Sequence, residues 1–193
     1  MKRHQGLTLI ELLTTISIVA VLAVVAIPSF NSMTAQNRMV GSLNDLVADL
    51  HYARSEAIKR GRNVRVCIAN ARFGNCRNSG DWGYGWIVRD LGDSSVTPRI
   101  RPKVLRIHAA LEGDDDMGET DLRAGDRAGK IDFNRNGFSS NARTIRICEP
   151  TNTASKARAV IITTTGHIHA GYDGDEDGVV ETGSGDNVTC PSS

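Results

Sequence analysis

From Leu7 to Phe30 the chain reads LTLIELLTTISIVAVLAVVAIPSF, and the one charged side chain in that run is Glu11. Ahead of it stand Lys2, Arg3 and His4, then Gly6. At about 1.5 Å of rise per residue, a helix over this run reaches the roughly 30 Å of a bilayer's hydrocarbon core. The basic head suits the cytoplasmic side of such a span. A secretory signal peptide shares the basic and apolar parts but is cut after the apolar part at a small-x-small site. Here Ala23 and Ala26 lie three apart and no such site follows. A plain transmembrane anchor explains the length and the charge, but not Glu11. An acid in a spanning helix costs about 2.5 to 3.5 kcal/mol near the centre on insertion scales and less near an end, so it calls for a cationic partner or a function.

The remaining chain is long enough for one modest core. With 193 residues, 40% of them apolar, the expectation is a single globular domain behind the apolar segment. A net charge of +1 excludes a protein whose whole surface is a nucleic-acid footprint, though not a local basic stripe such as Arg62 and Arg65 with Arg99, Arg101, Lys103 and Arg106. Cys67, Cys76, Cys148 and Cys190 all follow the apolar segment, and none has the C-x-x-C spacing of zinc or redox sites. They read as disulfides in an oxidising compartment. Three connectivities are open; Cys67–Cys76 with Cys148–Cys190 is favoured, because the first closes a hairpin-sized loop and the second staples the tail.

Beyond Pro28 the residues Val40, Leu43, Leu46, Val47, Leu50, Ala53 or Arg54, Ala57 and Ile58 recur at three and four, the period of an amphipathic helix. Glu56 and Arg60 stand at i and i+4, expected on its exposed side, and Gly61 behind Lys59-Arg60 is a stop signal. With no turn cluster in between, the two parts predict one long helix, kinked near Pro28 and Ser29. From Gly61 the period changes to two. Strands are predicted over 63–69, 86–89, 104–108, 130–133, 144–148, 159–163 and 167–170, with acidic loops at 112–118 and 172–178. The fold class is therefore α+β: a long N-terminal helix, its first half transmembrane, packed on a mainly antiparallel β-sheet.

Gly6, then Leu7-Thr8-Leu9-Ile10-Glu11-Leu12, then an apolar helix interrupted by Pro28, resembles the class III leader of type IV pilins and pseudopilins. The resemblance implies that a prepilin peptidase cuts after Gly6 and methylates the new amino terminus at Leu7. It also implies that Glu11 pairs with the terminal amine of a neighbouring subunit during assembly. The family usually has Phe where this chain has Leu7, so processing is expected at an equal or slower rate. A second resemblance covers most of the chain. Cys67 and Cys76 followed by Asp81-Trp82-Gly83-Tyr84-Gly85-Trp86-Ile87-Val88, the turns at Asp90-Leu91-Gly92-Asp93 and Asn136-Gly137-Phe138, and Thr144-Ile145-Arg146-Ile147-Cys148 are similar to minor pilins of the FimU and FimT kind. Those share a domain with the type II secretion pseudopilin GspH.

No catalytic set emerges. His51, His108, His167 and His169 lie in no motif that joins them to a nucleophile. Trp82 and Trp86 are expected in the core rather than as a stacking platform. Asp173, Asp175 and Asp177 have the D-x-D-x-D-G spacing of a calcium loop, with Ser184 where its bidentate Glu would stand; no cofactor is expected, and Ca2+ is the one candidate. FimT-like proteins bind DNA through Gly-Arg-x-Arg near the C-terminus, and the matching place here is Gly166-His167-Ile168-His169. Imidazoles are mostly neutral at pH 7 and grip phosphate weakly, so DNA contact by His167 and His169 is not favoured.

The chain thus reads as residues 1–6, a leader; 7–60, a transmembrane and amphipathic helix; and 61–193, a disulfide-stapled β-rich pilin domain. The expected role is a non-enzymatic minor pilin for type IV pilus assembly, with a GspH-like secretion pseudopilin or a DNA-binding minor pilin as alternatives. Expected partners are other minor pilins, the major pilin, the prepilin peptidase and the pilus assembly platform. The expected location is the inner membrane as a single-pass protein with a periplasmic domain, then the pilus.

Overall fold

The computed structural model describes residues 9–77, 80–93, 95, 99–113, 115–120, 128–150 and 153–191. The chain divides into two units, Met1–Arg38 and Met39–Ser193. Helix α1 covers Leu9–Arg60 and is continuous across positions 28 and 29.

In the first unit the helix is apolar as far as Phe30, and most of its apolar side chains are exposed. Leu9, Ile10, Ile16, Val19, Val24 and Phe30 are all open, and the helix is long and apolar enough to cross a membrane. Four of its hydroxyls bond back within the helix. Thr14 donates to the Glu11 carbonyl, Thr15 to Leu12, Ser17 to Leu13 and Thr34 to Phe30. Polar groups bonded back to the preceding turn ask nothing of their surroundings, as an apolar medium requires.

In the second unit α1 contributes Met39, Leu43, Leu46, Leu50, Ala53 and Ala57 to the core. The spacing of four and three keeps these residues on one stripe. The helix ends where the amide of Gly61 bonds the carbonyl of Ile58 and that of Arg62 bonds Ala57. This is a Schellman closure, and it needs the left-handed φ of +66° that Gly61 supplies.

Among the described residues eight strands follow: β1 (Val64–Ile68), β2 (Trp86–Asp90), β3 (Lys103–His108), β4 (Asp116–Thr120), β5 (Lys130–Phe133), β6 (Arg143–Cys148), β7 (Arg158–Ile162) and β8 (Ile168–Ala170). They form two four-stranded sheets rather than one, ordered β3-β2-β1-β5 and β4-β6-β7-β8, and every pairing is antiparallel. The expected acidic loop over 112–118 is corrected in its second half. Asp116–Thr120 (DMGET) is β4, paired residue for residue with Thr144–Cys148. Only Met117 is apolar there and fully buried, so pairing with β6, not local alternation, makes the strand.

One core joins α1 to both sheets, with Trp82, Trp86, Phe133, Ile145 and Ile162 among its members. The outer faces are covered as well. Cys67 and Ile87 lie under the 67–76 loop with Phe73, while Cys148, Ala157 and Ala159 lie under the C-terminal segment with Val188. Disulfides Cys67–Cys76 and Cys148–Cys190 hold those two covers in place, with Cα atoms 5.5 and 6.0 Å apart.

Candidate functional site

The first candidate is the N-terminal end of α1. Glu11 lies in the first turn, where a carboxylate faces the unbonded amides of the helix start, and its side chain is exposed among exposed Leu12, Leu13 and Ile16. Gly6 and Leu7, the expected cut and methylation positions, lie outside the described residues.

The second is a polar column on the buried side of α1. Ser42, Asp49 and Glu56 recur every seven residues beside the apolar stripe, and all three are buried. The expected exposure of Glu56 is therefore corrected: its carboxylate takes Arg60 Nε at 2.5 Å and Lys59 Nζ at 3.7 Å. Asp49 receives the indole N–H of Trp86 at 2.8 Å on one oxygen and Arg106 Nη1 at 2.7 Å on the other. The Arg106 guanidinium also lies 4.1 Å over the Tyr52 ring. Trp86 stacks on His108, centroids 3.9 Å apart and planes 7° off parallel, and His108 Nε2 reaches Asp45 at 3.3 Å. Asp90, at the end of β2, gathers Arg62 through Nε and Nη2 at 2.8 to 3.0 Å, Arg60 at 3.4 Å and the Gly92 amide at 2.8 Å. Burial alone pushes the Asp90 carboxyl up; the Arg62 hydrogen bond, the Gly92 amide and the charges of Arg62 and Arg60 outweigh it and hold the group below its ordinary value. Hydrogen bonding to Asp90 in turn raises Arg62. Across β1 and β5, Arg65 and Asp132 form a two-pronged pair at 2.5 and 2.6 Å, which raises Arg65. Asp81 differs: burial raises its carboxyl, although the amides of Gly83 and Met117 donate to it.

The third is the C-terminal loop region. Asp173, Asp175 and Asp177 each present a carboxylate oxygen within 4.8 Å of the others, the only such group of three or more His, Cys, Asp or Glu among the described residues. The Gly178 amide donates to Asp173 Oδ2 at 2.8 Å, whereas Asp173 Oδ1 is closed off from solvent without a hydrogen-bond partner. The Glu181 carboxylate lies against Gly174, its Oε2 2.7 Å from where a Cβ would stand. Carboxylates so gathered can hold a hard cation. His167 and His169 adjoin one another at β8, and Arg54 reaches the Gly137 and Thr165 carbonyls nearby at 3.0 and 3.4 Å.

Among the described residues, the cysteines and His108 are already engaged. All four cysteines are in disulfides, and the His108 imidazole is held by Trp86, Asp45 and the Ala109 carbonyl. Trp82 and Trp86 are fully buried, with Trp82 Nε1 donating to Glu119 at 2.9 Å, so neither forms a stacking platform. Sequence reasoning missed the column of Ser42, Asp49 and Glu56. Its signal was present: polar residues repeated every seven positions within a helix whose apolar residues keep the same repeat.

Comparison with known proteins fits this geometry. Residues 42–166 match the family described as type II transport protein GspH, and residues 1–27 match the prokaryotic N-terminal methylation motif. Among curated proteins no match is found. Among solved structures the chain is similar to a crystal structure of the type IV minor pilin FimU of Pseudomonas aeruginosa, at 24% identity and a TM-score of 0.53, over 71% of this chain and 90% of that one. A second crystal form of FimU matches at 23% identity and a TM-score of 0.48, over 72% and 90%. The first likeness is one of fold: a long helix on antiparallel sheets. The matched span runs from the buried part of α1 through both sheets to Gly166, just before β8, and with that extent the chain belongs to the GspH family.

Proposed function

We propose that this chain is a minor pilin, a structural subunit that primes or joins a type IV pilus. The observation that carries this is the joining of an N-terminal methylation motif over residues 1–27 to a GspH domain over 42–166 through an exposed apolar helix. In this reading the helix first holds the subunit in the inner membrane, with the β-rich domain in the periplasm. A prepilin peptidase cuts after Gly6, the new amino terminus at Leu7 is methylated, and Glu11 accepts that amine from a neighbouring subunit. The cation offsets the cost of a carboxylate in an apolar setting and fixes the register between helices. The disulfide-stapled domain then faces outward and meets other minor pilins and the major pilin. Gene deletion followed by imaging of surface pili tests this: loss of pili and of twitching is expected, and normal pili and motility overturn it.

The family description favours one other reading, a pseudopilin of type II secretion. The same deletion separates the two, because a pseudopilin's loss stops exoprotein release and leaves pili intact. The acidic loop supports a calcium reading. The three gathered carboxylates and the closed-off Asp173 Oδ1 offer oxygen donors, with Glu181 beside them. Calorimetry with millimolar CaCl2 should register heat that is lost in D175N; no heat in the unaltered protein removes calcium from the account.

A further inference from the structure

His167 and His169 flank Ile168 where β8, the outermost strand of its sheet, begins. Ile168 turns inward and is 6% exposed, so the alternation of a strand sets both imidazoles on the opposite face. His167 is exposed and His169 half-buried. The main-chain N–H of His167 donates to Thr163 Oγ1 at 3.1 Å, which fixes the approach to the strand.

The ring centroids are 5.3 Å apart, with planes inclined by 40°. An imidazole bound through a nitrogen lone pair, at a metal–nitrogen distance of about 2.0 to 2.1 Å, has its centroid about 3.2 Å from the ion. Two centroids at the observed 5.3 Å then subtend about 112° at a common ion, close to the tetrahedral angle that zinc prefers. The tautomer fits as well. His169 Nδ1 lies 3.0 Å from the Ala170 carbonyl, and a carbonyl only accepts, so the proton is on Nδ1 and the Nε2 lone pair is left for a ligand.

We propose that His167 and His169 form a two-nitrogen site for a borderline divalent transition ion of the Zn2+, Cu2+ and Ni2+ class. Water or a donor from an adjoining molecule completes the coordination. Imidazole nitrogens select this class, whereas the carboxylates of Asp173, Asp175 and Asp177 suit a hard cation, so the two places are chemically distinct.

The test uses the untagged full chain in detergent, titrated with ZnCl2 by calorimetry and with CuCl2 by electron paramagnetic resonance. One ion per chain is expected, with hyperfine structure from two imidazole nitrogens on copper. H167Q and H169Q should each weaken binding about tenfold or more, the scale at which metal sites respond to loss of a supporting group. H4Q, H51Q, H108Q and D175N should leave it unchanged. Both histidines are at the surface, so glutamine there should preserve the far-ultraviolet circular dichroism of the parent. Zinc affinity retained in H167Q or H169Q, or a copper spectrum with a single imidazole nitrogen, overturns the proposal.

Discussion

Removing the Cys148–Cys190 bridge should destabilise the second unit more than removing Cys67–Cys76, and the margin follows from where the bridges sit in the chain. The first closes a loop with a sequence separation of 42 and the second a loop of 9. In the chain-entropy model the loss per bridge is 2.1 + 1.5R ln n cal/mol/K, which gives about 4 kcal/mol for the long loop and about 2.6 kcal/mol for the short one at 25 °C. The expected gap is therefore about 1.4 kcal/mol. Alanine is the replacement of choice, because Cys67 and Cys148 are fully buried and a serine hydroxyl there would add its own desolvation penalty. The assay is urea unfolding of residues 39–193, followed by the fluorescence of Trp82 and Trp86, both buried in the shared core. C148A/C190A should move the midpoint further than C67A/C76A at an unchanged slope, since the surface exposed on unfolding stays nearly the same. At roughly 2 to 4 °C per kcal/mol for a unit of this size, the long-loop variant should lose about 8 to 16 °C in Tm. An equal loss in the two variants, or a larger one from C67A/C76A, would refute the reasoning and place the contribution of these bridges in native packing instead.

Three further outcomes follow from single residues. Gly61→Ala should cost about 1 kcal/mol in the same unfolding assay; nothing lies within 4 Å of the added Cβ, so the loss comes from the φ of +66° alone, and a neutral result would mean that the helix end relaxes. Asp49→Leu should cost about 1 to 3 kcal/mol, because it leaves the buried Trp86 indole N–H without its acceptor while half-exposed Arg106 turns to water; a red-unshifted Trp emission together with unchanged stability would contradict this. Asp90 has a folded-state carboxyl held below its unfolded value, so the stability it contributes is present above the ordinary carboxylate range and is lost as pH falls through the folded value. Unfolding measured from pH 6 down toward about pH 2 should show that decline in the parent and a shallower one in Asp90→Asn, and identical slopes would remove Asp90 from the acid response.

What could be read without coordinates is what local chemistry dictates. The apolar run writes a helix long and apolar enough to cross a membrane, and Lys59-Arg60-Gly61 writes the end of that helix in charge and backbone freedom. Alternation likewise marks β1, where Val64, Val66 and Ile68 alternate with Arg65 and Cys67. That same alternation hides the cover over its other face. Cys67 is as buried as its apolar neighbours, because the 67–76 loop closes over the face that a period-two reading leaves to solvent. Strand β4 was illegible for the converse reason: Asp116, Gly118 and Glu119 look like a turn until β6 supplies the hydrogen bonds.

The candidate sites divide along the same line. Asp173, Asp175 and Asp177 come together because they are near in sequence, and a tight turn is enough to gather them. Asp49 and Asp90 are functional to the fold only through residues far along the chain, Trp86 and Arg106 for one and Arg60 and Arg62 for the other. A heptad-spaced acid on a buried helix face signals such a partner but cannot name it. These polar contacts at the helix have a physical consequence. They fasten residues 39–60 to the sheets through directional contacts that an apolar stripe alone, which packs equally well in more than one register, would not provide.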